Sequence, residues 1–87
     1  MKLLVFEGQT WKRFEAMRII NKTLHQKLCK VLQDMRNGDL TTGLDRTEPL
    51  RYSLLGFWSK TISPKDRIIY KFDDEYIYIF AISGDEY

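Results

Sequence analysis

Leu3-Leu4-Val5-Phe6 is a short unbroken apolar run, the pattern of a buried strand. Gly8 ends it, and Thr10 is placed to N-cap a helix starting at Trp11. Along that helix Trp11, Phe14, Met17 and Ile20, with Ile19, recur at helical spacing, while Lys12, Arg13, Glu15 and Arg18 take the wet side, so the stripe predicts core packing. A break at Asn21 or Thr23 leads into a second helix to about Asn37, whose apolar stripe is Leu24, Leu28, Val31, Leu32 and Met35. Gly38 follows as a C′ residue in the left-handed conformation. Two helices with so short a join make a helical hairpin.

Residues 38–47 have two glycines, three threonines and no periodicity, which reads as loop. Strands are expected at about 49–54, 56–63 and 67–72, with a fourth from Tyr76 to Ile82. Ser63-Pro64-Lys65-Asp66 and Asp73-Asp74-Glu75 supply the turns. The last strand, Tyr76-Ile77-Tyr78-Ile79-Phe80 and Ile82, is so continuously apolar that it is expected to lie centrally, buried on both faces, or to join an interface. The predicted class is α+β: an N-terminal strand, a helical hairpin, then a mostly antiparallel sheet, in a single domain over residues 1–87.

Composition changes this picture little. With 44% hydrophobic and 30% charged residues, the chain lacks the signature of disorder. Its one cysteine, Cys29, excludes an internal disulfide and suits a reducing cytosol. No apolar run approaches membrane-spanning length, and Met1-Lys2-Leu3 leads into a strand rather than a signal peptide. His25 reads as a lone helix histidine without a carboxylate or cysteine partner, so neither metal nor cofactor is expected. Charge is more telling: the net value is +2, but residues 73–87 hold five acids and no base, leaving fourteen bases against seven acids before them. A basic body with an acidic end is compatible with a polyanionic ligand.

The densest chemistry lies between Glu48 and Tyr70. If Leu54–Trp58 and Ile68–Tyr70 pair across the Ser63–Asp66 turn, Glu48, Arg51, Lys60 and Arg67 gather on one sheet face while Leu50, Phe57 and the isoleucines fill the other. An acid–base group among cations on a rigid sheet suits a phosphodiester substrate. The same spacing also describes an ordinary solvated face, with Glu48 ion-paired to Arg51 or Arg67.

Glu48-Pro49-Leu50, Gly56-Phe57-Trp58-Ser59 and the Arg67–Tyr70 segment together resemble the YoeB/Txe toxins of the RelE superfamily, and the similarity covers nearly the whole chain. The resemblance implies a RelE/YoeB-like, microbial ribonuclease-like fold. It further implies a bacterial cytoplasmic toxin, a homodimer, that enters the ribosomal A site and cuts mRNA there, silenced by a Phd/YefM-type antitoxin. Carried across, the catalytic carboxylate falls on Glu48, the phosphate-stabilising arginine on Arg67, an assisting base on Arg51 and the terminal tyrosine on Tyr87. Two departures stand out. Lys60 remains in a stretch that usually holds a further arginine, but Thr61 takes one basic position; and Glu86 occupies the place of the family's general-acid histidine.

RNA can be cut without metal when its 2′-hydroxyl attacks the adjacent phosphorus. The step needs a base, a cation on the phosphoryl oxygens and an acid for the leaving oxygen. Glu48 is the candidate base, Arg67 the cation, and Glu86 and Tyr87 the candidates at the leaving group, with Arg51 and Lys60 as RNA contacts. The missing histidine keeps two alternatives open: a non-catalytic inhibitor like the ParE toxins that act on gyrase, or a degenerate toxin acting chiefly as an antitoxin-binding module.

Overall fold

The computed structural model describes residues 1–38, 40–41, 47–51 and 55–83, with Glu48 and Ser83 described in the backbone alone. The elements run β1 (Leu3–Phe6), α1 (Thr10–Ile20), α2 (Lys22–Arg36), β2 (Thr47–Pro49), β3 (Trp58–Thr61), β4 (Arg67–Phe72) and β5 (Tyr76–Ser83). The strands form one sheet in the order β1-β5-β4-β3-β2, antiparallel except for the β1–β5 pair. This is the expected α+β arrangement, a helical pair on one face of a mixed sheet.

The helices differ in how they are held. Asn21 separates them: its Oδ1 accepts the Leu24 N–H at 3.1 Å, satisfying one of the orphan amides at the start of α2. At the far end Gly38 takes φ 115°, the left-handed region expected of it. Between these ends Leu28, Val31, Leu32 and Met35 are buried, with Leu24 packed beside them, so the predicted stripe holds. The start of α1 departs from expectation. The helix begins at Thr10 itself, and the Thr10 hydroxyl donates to the Glu7 carbonyl at 2.8 Å instead of accepting a cap bond. The α1 stripe is only half used: Phe14 and Met17 pack on the core, but Trp11 is 51%, Ile19 78% and Ile20 82% exposed. The helix packs against α2 and β5, and these exposed apolar side chains lie outside that contact.

The core lies between α2 and the sheet. Leu28 and Met35 meet Ile68, Tyr70, Ile77 and Ile79, all with no exposed surface, and each such side chain contributes about 1.5–3 kcal/mol. The Tyr70 phenol donates to the Leu40 carbonyl, tying the segment after α2 to the middle of β4. Trp58 packs at the margin of this core.

Three strand expectations are corrected. β2 covers 47–49 rather than 49–54, so Leu50 and Arg51 follow the strand; residues 52–54 lie outside the described part. β3 begins at Trp58 because Gly56, at φ 96°, sits in a turn before it. β5 is next to the edge strand β1, and it is buried on one face only: Ile77, Ile79 and Ile82 point at the helices while Tyr78 is half-buried and Phe80 exposed. Phe80 is the extra residue of a β-bulge, since Ile69 pairs with Ala81 and Tyr70 with Ile79.

The β4–β5 turn rests on Asp73. Its Oδ1 accepts the N–H groups of Tyr76 and Glu75, both at 2.8 Å, and its Oδ2 accepts the Tyr78 hydroxyl at 3.0 Å. The amide of Tyr76, then that of Glu75, holds the carboxyl pKa below its ordinary 3.8. A depressed folded-state value gives stability that is complete above the unfolded value and lost as pH falls through the folded one. Asp73→Ala is therefore expected to lower the midpoint of thermal unfolding at neutral pH, with the gap from wild type closing below pH 3.8. Melting curves across an acid series check this, and a gap constant with pH would show that the ionised carboxylate is not what holds the turn.

Candidate functional site

Strand register decides which sequence-predicted residues share a face. Glu48 pairs with Ser59, Ser59 with Ile69 and Ile69 with Ala81, forming one row across β2, β3, β4 and β5. Two residues along, Thr61, Arg67 and Ser83 form the next. Because the pleat alternates with period two, both rows belong to the face turned away from the helices. From strand spacing and rise, the Cα positions of Glu48 and Arg67 lie about 12 Å apart. Arg67 is exposed there, and so is Arg51 just past β2.

Lys60 does not join them. It pairs with Thr47 and Ile68, stands on the helix side of β3 and is 1% exposed. The expectation that it gathers with Glu48 and Arg67 fails on parity: it lies between Ser59 and Thr61, and neighbouring residues of a strand face opposite ways. Parity also moves Phe57 and Leu50. The Leu50 N–H donates to the Phe57 carbonyl at 3.0 Å, extending the β2–β3 ladder by one rung and placing both on the Glu48–Arg67 face rather than with the core isoleucines. Of the isoleucines, Ile68 fills the core while Ile69 lies under the open face. Glu86 and Tyr87 lie outside the described residues.

Two features escaped the sequence reading. On the open face the rings of Phe57 and Phe80 stand 5.0 Å apart, and the Lys71 ammonium lies 5.3 Å from the Phe57 ring and 5.5 Å from that of Tyr78. The alternation of Arg67, Ile69 and Lys71 was the available signal for the lysine; the bulge that presents Phe80 leaves none. Second, His25 is not without a cysteine partner. Its Nδ1 lies 3.7 Å from the Cys29 Sγ, one helical turn on, and its ring packs 4.7 Å from that of Phe14.

The acid–cation pair of positions on a small mixed sheet under two helices can be set beside known proteins. Residues 6–84 match the family model described as the YoeB-like toxin of bacterial type II toxin–antitoxin systems. The chain belongs to that family. Toxin YoeB of Escherichia coli K12 is 27% identical over 78 residues, covering 90% of this chain and 92% of that protein. The fold agrees with YoeB in the YoeB–YefM complex of Staphylococcus aureus at a TM-score of 0.87 and 22% identity, covering 99% of both chains. A YoeB dimer from the same organism superposes with a TM-score of 0.85 at 23% identity, covering 99% of this chain and 98% of that one.

For a toxin of this family the two faces of β3 and β4 predict opposite outcomes. Arg67→Gln is expected to relieve growth arrest on induced expression while leaving the unfolding midpoint unchanged. Lys60→Gln should lower the midpoint, because its side chain is enclosed. Paired growth and melting measurements check both, and an Arg67 variant that unfolds early would overturn the separation.

Proposed function

We propose that this toxin is a ribosome-dependent endoribonuclease that cuts mRNA in the A site by 2′-hydroxyl attack. The observation that carries the reading is the register that sets the backbone positions of Glu48 and Arg67 on one open sheet face, two strands and two residues apart. Glu48 takes the 2′ proton as general base. Arg67 follows two phosphoryl oxygens through the transition state with its planar, permanently charged fork. Glu86 or Tyr87 protonates the leaving 5′-oxygen, so that the bond broken at phosphorus balances the one formed. Arg51 holds the RNA backbone beside Glu48, and Lys60 supports the strand from beneath. Each role needs only a side chain, so the step as written calls for no cofactor.

A constellation this shallow gains from a substrate aligned in advance, which is worth several kcal/mol when another body supplies it, and the ribosome is that body here. The solved S. aureus relative is a complex of YoeB with YefM, and another is a YoeB dimer. A Phd/YefM-type antitoxin and a second copy of the chain are the partners we assign. Among the described residues no helix is long and apolar enough to cross a membrane, and the mRNA substrate sets the place of action in the bacterial cytoplasm.

Primer extension on transcripts after induced expression tests the reading. Cuts within translated codons are expected, and Arg67→Ala should reduce them by about 10²–10³-fold, the usual loss when a transition-state charge stabiliser is removed. Intact transcripts with arrested DNA replication would replace this reading with ParE-like inhibition. Glu86→His is expected to raise cleavage or move its pH optimum upward, since imidazole donates a proton readily near neutrality; an unmoved pH profile would take Glu86 out of proton transfer.

A further inference from the structure

We propose that Phe57, Lys71, Tyr78 and Phe80 form a stacking strip that holds single-stranded RNA beside the cut linkage, an inference resting on the nuclease reading above. The strip's place follows from the sheet. Phe57, Lys71 and Tyr78 occupy the row next to that of Glu48, on the side away from Arg67, because Lys71 pairs with Tyr78 and Trp58 with Tyr70. Rows on one face are about 7 Å apart, so a strand whose phosphate lies between Glu48 and Arg67 carries its neighbouring nucleotide over these rings.

The chemistry matches that occupant. Three aromatic rings stand on one open surface, and Phe80, lifted by the bulge, is 45% exposed and 5.0 Å from Phe57. Every nucleobase has a π-face, so such rings accept bases with little regard to sequence. Lys71 lies among them, exposed, with its ammonium at 5.3 and 5.5 Å from two ring centres, where it can meet a phosphate without leaving the strip. Past Phe80 the surface continues into an open groove of about 500 Å³ that Lys12 and Arg13 line together with Gln9 and Thr10. Asp73 marks the other end, where the Tyr78 hydroxyl donates to it. Rings interleaved with cations, with the acids of the Asp73-Asp74-Glu75 turn confined to one end, favour a polyanion with planar bases over an acidic peptide, which would leave the ring faces unused.

The test uses the full chain and a fluorescent 2′-O-methyl oligouridylate, which lacks the attacking hydroxyl and reports binding alone. Anisotropy at low salt should show binding that Phe80→Leu weakens about 5- to 150-fold, while Phe80→Tyr restores it. Leucine keeps apolar bulk without a π-face, and equal melting midpoints for the three proteins exclude a folding defect. Lys71→Gln should flatten the slope of log affinity against log salt by about 0.7, one single-strand phosphate contact. A Phe80→Leu protein that binds like wild type overturns the proposal, and so does a wild type that does not bind. A variant that keeps RNA but loses affinity for the antitoxin would assign the strip to a protein contact instead. The two readings fail separately: strip-dependent binding without cleavage on ribosomes sinks the nuclease reading alone, and wild-type cleavage by Phe80→Leu at unchanged sites sinks the strip alone.

Discussion

Alternation along β4 is the constraint on which the rest of this structure depends. Ile68 and Tyr70 enter the core, with Phe72 packed at its margin, and Arg67 and Lys71 face solvent with Ile69 enclosed between them. β4 pairs with a strand on each side, so its parity is imposed on β3 and β5 as well. A shift of one residue would bury Arg67 and Lys71 and turn Ile68, Tyr70 and Phe72 out to solvent. The register is therefore fixed by burial. The alignment of Glu48 with Ser59, and of Thr61 with Arg67, comes with it, so a hydrophobic core on one face sets the spacing of residues on the other.

The same division explains what was legible in the sequence. α2 was readable because its stripe meets a full sheet, and the mixed α+β order was readable because turn residues punctuate every strand. The α1 stripe is covered only in part, since helical spacing reports that a face is apolar and not whether a partner covers it; Ile19 and Ile20 stay exposed. β5 misled for a related reason. An unbroken apolar run looks the same whether both faces are covered or one carries exposed aromatics, and the bulge at Phe80 has no signature of its own. The face of Lys60 could have been foreseen. Given a strand through Ser59 and Thr61, counting by twos from Arg67 across the hairpin places Lys60 on the core side. His25 and Cys29 show the same lesson at helical period: four residues apart on α2, they meet.

The core and the proposed site thus occupy separate faces of the sheet. Most of the enclosed apolar side chains belong to α2, β4 and β5, and the Asp73 turn and the Asn21 cap close the connections around them. On the open face Arg67 is exposed, as is Arg51 just past β2. Glu86 fits this logic under the proposed mechanism. A carboxylic acid is a useful proton donor near neutral pH only when burial or a neighbouring negative charge keeps it protonated. If Glu86 reaches the Glu48 row, each carboxylate supplies that neighbour for the other, and the two share one proton as a coupled pair. The approach that makes Glu86 useful is then also what makes it acidic at the right pH, while Arg51 and Arg67 oppose the effect by favouring both anions. Histidine needs no such balance. Under the proposed mechanism, glutamate in its place ties proton transfer to the distance between two side chains, and activity should respond more steeply than a histidine enzyme's to whatever sets that distance.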